Sequence, residues 1–177
     1  CSKSIEESIK DDIIDEFLKI CNFSRPTYHT KEFCKYIETR AKDLSPIPIE
    51  IYDDHGTWKP DDPTQRFDDN GFNIYYDIPA NIPEGVAEPP MTIIQCHTDM
   101  VWVVESGYED IIKHPEPVKD RIYNKETKKW ESVIHTKKYL SSLGGDNGIG
   151  VATSLALTKN VKNFVHGPIR FIFTTDE

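Results

Sequence analysis

Two apolar runs in this chain are too short to be helices and too rich in β-branched and aromatic residues to be loops. One is Thr92-Ile93-Ile94, preceded by Pro89-Pro90. The other is Ile169-Arg170-Phe171-Ile172-Phe173-Thr174-Thr175, entered through Gly167-Pro168. Runs of this length and composition read as buried strands, and a nearly continuous apolar run suits a strand covered on both faces. Between them, Val151-Ala152-Thr153-Ser154-Leu155-Ala156-Leu157 reads as a helix that Lys159-Asn160 ends. Strands that alternate with helices predict an α/β sandwich with a largely parallel sheet.

The front of the chain adds two helices and two strands to that unit. Residues 4–21 predict an amphipathic helix, with Ser4 and Glu7 as a capping box and Ile5, Ile9, Ile13, Phe17 and Ile20 as one stripe. Arg25-Pro26 breaks it. A second helix is expected over about residues 30–44, with Phe33, Ile37, Ala41 and Leu44 on one face, until Pro46 and Pro48 end it. Residues 49–52 and 72–78 are strand candidates, separated by a polar loop of Asp, Pro and Gly. A Pro-rich connector, residues 79–90, leads into the Thr92 run. Residues 100–145 read as a long, mostly polar loop segment in which Trp102, Tyr108, Tyr123 and Trp130 line a cleft or anchor the loop. Lys125, Lys128 and Lys129 read as a hairpin tip or a solvated face. No internal repeat is present.

Size and charge exclude several classes. At 177 residues one domain is the default. Thirty acidic against 21 basic side chains give a net charge of −9, which argues against nucleic-acid and anionic-membrane partners. No stretch approaches the roughly 20 apolar residues of a membrane span, and no signal-peptide pattern is present. Cys1, Cys21, Cys34 and Cys96 have no CxxC spacing, so reduced thiols in a cytoplasmic protein are expected. A Cys1-Ser2 start is also the pattern of a lipid-anchored mature bacterial protein, but a trimmed or partial chain is the preferred reading. The stop at Glu177, directly after an apolar run, reads as the front portion of a longer protein.

The chemistry-bearing residues follow the two strand ends. His97 and Asp99 lie two apart after the Thr92 run, so extended backbone projects both to one side. That spacing suits an imidazole that binds a metal through one nitrogen while a carboxylate orients the other. Asp146 sits in Gly144-Gly145-Asp146-Asn147-Gly148-Ile149-Gly150, at a loop-to-helix junction, and Glu177 follows the second strand. In open α/β sheets ligands bind beyond the carboxyl ends of the strands, where these segments converge. Imidazole and carboxylates without thiolate are the ligand set of hydrolytic zinc sites. Taken singly, each has a plainer reading: His97 and Asp99 as turn residues, Asp146 as an N-cap, Glu177 as a surface acid. Their joint placement favours the metal site.

Competing motifs fail. Gly148-Ile149-Gly150 lacks the third glycine of a dinucleotide fingerprint, and no GxxxxGK[ST], G-x-S-x-G or H-E-x-x-H occurs. His29, His55, His114 and His135 read as exposed, His166 as a turn residue, and Cys96 as a small buried hydrophobe.

Three stretches together carry a resemblance: Gln95-Cys96-His97-Thr98-Asp99-Met100-Val101, Gly144-Gly145-Asp146-Asn147-Gly148-Ile149-Gly150, and His166-Gly167-Pro168 through Thr174-Thr175-Asp176-Glu177. With the Arg25-Pro26 break and the helix after it, they resemble the Xaa-His dipeptidases, also called aminoacyl-histidine or cytosol non-specific dipeptidases. These belong to a larger group of two-zinc exopeptidases and aminoacylases. Asp-Asn-Gly-Ile-Gly followed by His-Gly-Pro points to the dipeptidase branch; Cys96 stands where the family more usually has Gly.

The resemblance implies a zinc-exopeptidase-like three-layer sandwich, with residues 1–177 as the N-terminal part of the catalytic domain. His97 would ligate one zinc and Asp99 would orient it. Asp146 would bridge two zinc ions, with cobalt or manganese as alternatives, and the family often has a cis peptide after this residue. Glu177 would be the general base. A second Glu ligand, a further Asp and a distant His complete the family pattern outside this sequence, as do a lid or dimerisation domain and a homodimer. The implied activity is hydrolysis of dipeptides, Xaa-His and broader. An aminoacylase, a tripeptidase or a non-catalytic binding module on the same fold are the rival readings.

Overall fold

Ser4 starts the first helix, α1 (Ile5–Ile20), as its spacing to Glu7 predicts. The Ser4 hydroxyl accepts from the Glu7 amide at 3.1 Å, and the Glu7 carboxylate accepts from the Ser4 amide at 3.0 Å. The computed structural model describes residues 3–54 and 69–175. The α1 stripe deepens along its length: Ile5 is exposed, Ile13 packs at the edge of the core, and Phe17 and Ile20 are buried. Glu16 is buried beside them and tied to Arg40 of α2 (Lys31–Leu44) at 2.6 and 2.9 Å and to Lys19 at 2.8 Å. Burial by itself would raise its carboxyl pKa; the hydrogen bonds from Arg40 and Lys19 outweigh that and hold it low. α2 buries Phe33, Ile37 and Ala41 of the predicted face together with Cys34, while Leu44 is half-buried.

The described strands are β1 (Ile51–Asp53), β2 (Ile74–Ile78), β3 (Thr92–His97), β4 (Pro117–Asn124), β5 (Lys129–Thr136) and β6 (Ile169–Thr174). The main sheet runs β1-β2-β6-β3. The α/β class holds, but the sheet is mixed and not largely parallel. β3 pairs with β6 in parallel, whereas β1 with β2 and β2 with β6 are antiparallel. The cause is connectivity. Parallel neighbours need a crossover, and the helix α3 (Gly145–Asn160) supplies it between β3 and β6 alone.

Burial also departs from the expected continuous pattern. Along β6, Ile169, Phe171 and Phe173 are buried, while Arg170, Ile172 and Thr174 are half-buried. The buried set joins Ile74, Tyr76, Ile78 and Cys96 against Phe17, Ile20, Phe33, Ile37, Val151, Ala152 and Leu155 of the helices. On the alternate positions Arg170 clasps Asp77 at 2.7 Å through two nitrogens and lies over the Tyr75 ring, which stacks on Tyr52. Among the described residues this gives two of the three expected layers.

Residues 100–145 are not one loop. β4 and β5 form a hairpin, with Lys125 and Lys128 in its turn and Tyr123 paired with Trp130 edge-on at 5.7 Å. Both aromatics are exposed, so they pair with each other across the strands on the hairpin surface. Most residues of β4 are exposed on both faces, which removes the alternation by which a strand is read. The described cysteines, Cys21, Cys34 and Cys96, are buried. No helix among the described residues is long and apolar enough to cross a membrane.

Candidate metal centre

β3 ends at His97, and the chain stays extended for two residues more. The Thr98 amide donates to the Thr174 carbonyl at 2.8 Å, prolonging the β3–β6 pairing, and the Met100 amide donates to the Arg25 carbonyl at 2.7 Å. Alternation therefore brings His97 and Asp99 to one side, as their spacing predicts. The His97 Nδ1 lies 3.1 Å from the Asp99 carbonyl oxygen and 3.3 Å from its Oδ1. The other carboxylate oxygen accepts from the Thr27 hydroxyl at 2.6 Å. Both side chains are nearly covered, at 11% and 5% exposure.

The opposite wall is the glycine turn. Gly144 has φ +73, the left-handed region that favours glycine, and a Cβ there would also meet the Arg25 Nη2 at 2.6 Å. The start of α3 is irregular: Asp146 has φ −92 and ψ 109, and the Asp146–Asn147 peptide is cis, as the resemblance implies. Asn147, and not Asp146, performs the capping role, since its Oδ1 accepts from the Gly150 amide at 3.1 Å. The Asp146 carboxylate is thereby left to project outward, at 92% exposure, and its Oδ1 lies 3.1 Å from the His97 Nε2.

A neutral imidazole carries one N–H. Nδ1 faces two oxygens of Asp99, either of which can accept that proton. Nε2 stands 3.1 Å from the Asp146 Oδ1, and in the tautomer with the proton on Nδ1 it would offer its lone pair to a cation shared with that carboxylate. Two ligands of one tetrahedral zinc, with bonds of about 2.0–2.1 Å, would stand roughly 3.3 Å apart. The donor pair therefore fits a divalent cation. It opens on a cleft of about 440 Å³ lined by Thr27, Met100, Val101, Leu143 and the two glycines among others. Among the described residues no three His, Cys, Asp or Glu side chains form a group that could hold a metal. Glu177 lies outside the described residues.

The other histidines differ little from expectation. His29 and His114 are exposed and His55 lies outside the described residues. His135 is half-buried, stacked on Tyr139 at 4.5 Å. His166 is held in its turn by the Val161 carbonyl at 3.0 Å. Cys96 is buried at the Ser154 hydroxyl, and burial pushes its thiol up to about 12, which removes it from nucleophilic chemistry. Two contributors escape the sequence reading: Thr27, bonded to Asp99, and Arg25, which reads in sequence only as part of a helix break.

Comparison with known proteins returns the resemblance carried by the motifs. The chain is 28% identical over 171 residues to the cytosol non-specific dipeptidase of Escherichia coli (strain K12), covering 92% of this chain and 27% of that protein. It thus spans about a quarter of the length of that curated relative. The crystal structure of the aminoacylhistidine dipeptidase from Vibrio alginolyticus matches with a TM-score of 0.66 and 25% identity, over 99% of this chain and 29% of the other. A tripeptidase from Staphylococcus aureus matches with a TM-score of 0.61 and 16% identity, over 95% and 37%. The aminopeptidase PepT from Bacillus cereus matches with a TM-score of 0.57 and 20% identity, over 94% and 36%. The last two likenesses concern the fold alone. No protein-family model matches the chain.

Proposed function

We propose that the complete protein carrying this sequence is a metal-dependent peptidase that hydrolyses dipeptides, Xaa-His and others. The observation behind this reading is the His97–Asp146 pair, two metal-type donors 3.1 Å apart on the wall of a glycine-lined cleft. Similarity to a dipeptidase over 92% of the chain supports the same class of reaction. In this reading residues 1–177 are the N-terminal part of the catalytic domain, and a lid or dimerisation domain and a homodimer belong to the complete protein. The protein is cytoplasmic and engages neither nucleic acid nor membrane.

His97 and Asp146 would hold the metal, with Asp146 the residue that would be shared between two zinc ions; cobalt or manganese would suit the same donors. Such ions, when bound, polarise a peptide carbonyl and acidify water. The chain's own residues do the rest. Asp99 keeps the proton on Nδ1 of His97, so that Nε2 offers its lone pair to the cleft. Glu177, assigned from its motif, takes the proton of the attacking water and delivers it to the leaving amine. Gly145, where a Cβ would meet nothing within 4 Å, leaves room for a substrate to approach the backbone. A second reading, a two-zinc tripeptidase or aminoacylase, draws on the tripeptidase fold likeness.

The test uses the full-length protein. A chelator should abolish hydrolysis of Xaa-His dipeptides, and zinc should restore it. Glu177→Gln should keep metal while losing roughly 10²–10⁴-fold in turnover. Chelator-resistant cleavage would reject metal dependence, and turnover confined to tripeptides or acylated amino acids would favour the second reading.

A further inference from the structure

Arg25 is 1% exposed, in a position where an unpaired cation is costly. Among the described residues no carboxylate hydrogen-bonds to it. Its guanidinium is directed instead at two backbone carbonyls: Nη1 donates to Thr98 O at 2.7 Å and Nη2 to Gly144 O at 2.8 Å. The Phe33 ring covers it at 4.9 Å. Thr98 lies between His97 and Asp99, and Gly144 lies two residues before Asp146. One planar group therefore joins the two loops that carry the candidate ligands. The same segment adds two further ties: the Met100 amide donates to the Arg25 carbonyl, and the Thr27 hydroxyl donates to the Asp99 carboxylate.

The glycines of the turn leave room for this group. A Cβ on Gly148 would stand 2.8 Å from the Arg25 Nη2 and 3.2 Å from Phe17. Burial pulls the guanidinium down to about 10, still well above neutral pH, so it remains a charged donor to both carbonyls. Lysine, with a single ammonium on a flexible stem, lacks the planar fork that serves two carbonyls at once.

We propose that Arg25 is a positioning residue for the metal centre, setting the separation between the His97–Asp99 segment and the Asp146 turn by bridging Thr98 O and Gly144 O. This rests on the metal-centre reading above. The test compares wild type, Arg25→Lys, Arg25→Gln and Gly148→Ala in the full-length protein, with Co²⁺ as the probe. Two readouts are taken: Co²⁺ affinity with its visible absorption spectrum, and amide hydrogen exchange in the metal-free protein. A folded Arg25→Lys or Arg25→Gln should bind Co²⁺ roughly 10–100-fold more weakly, with an altered spectrum. Exchange should speed up over residues 97–100 and 144–148 while α1 and α2 keep their protection.

Wild-type affinity, spectrum and exchange in a folded Arg25 variant would overturn the proposal. If neither Arg25 variant folds, Gly148→Ala decides, since it keeps the arginine and displaces Nη2. Weakened Co²⁺ binding with protected helices then supports the bridge, and unchanged binding overturns it. If wild type itself binds no Co²⁺, the metal reading fails instead, and exchange alone judges the bridge. Loosening confined to the two loops supports it; uniform or absent change overturns it.

Discussion

The oxygens of Asp99 face two partners at once, Nδ1 of His97 on one side and the Thr27 hydroxyl on the other. A carboxylate accepts on both oxygens, whereas an amide accepts on one and donates from the other. Asp99→Asn must therefore lose the acceptor for one of these neighbours. The expected result in the full-length protein is zinc affinity lowered by roughly 10–100-fold with the fold retained, measured by calorimetry beside circular dichroism. Unchanged affinity would show that His97 needs no orienting carboxylate. The position of Asp99 was readable because two-residue alternation in extended chain is a local rule. Thr27 was not readable as its partner, since 72 residues separate the two.

At the scale of elements, the start of α3 separates two jobs that sequence alone merges. Asn147 caps the helix, and Asp146, one residue earlier, points at the cleft. Asn147→Ala should cost about 0.5–2 kcal/mol of stability by loss of the cap. Asp146→Ala, at a 92% exposed side chain, should stay within about 0.5 kcal/mol and abolish zinc binding. Urea unfolding of the metal-free protein and a zinc titration distinguish the two; equal destabilisation by both would refute the division.

The packing of α1 on α2 carries a pH signature. Glu16 has its pKa held low by Arg40 and Lys19 against the opposing effect of burial. A lowered folded pKa means stability that is present above the ordinary 4.5 and is lost as pH falls through the folded value. Glu16→Gln should thus flatten the acid limb of a melting-temperature profile, and an unaltered acid limb would contradict the pairing.

For the whole molecule, the described helices cover one face of the sheet, and the other presents Tyr52, Tyr75, Ile93 and the Asp77–Arg170 pair. The described residues contribute two metal donors, while catalytic zinc sites use three protein ligands.

The sequence alone determined the helices, through the Ser4–Glu7 box and the Phe33–Ile37–Ala41 face. It also located the β3 and β6 runs, the pairing of His97 with Asp99, and the likeness to dipeptidases. Each of these rests on neighbours within a few positions, where backbone geometry sets who meets whom. Tertiary structure decided what depends on distance: the mixed direction of the sheet, the β4–β5 hairpin with its exposed faces, and the meeting of His97 with Asp146. It also decided the use of Arg25 as a bridge to Thr98 and Gly144. The contacts of His97 with Asp146 and of Arg25 with Thr98 and Gly144 join residues 49 to 119 positions apart, and only the folded path of the chain brings such residues together.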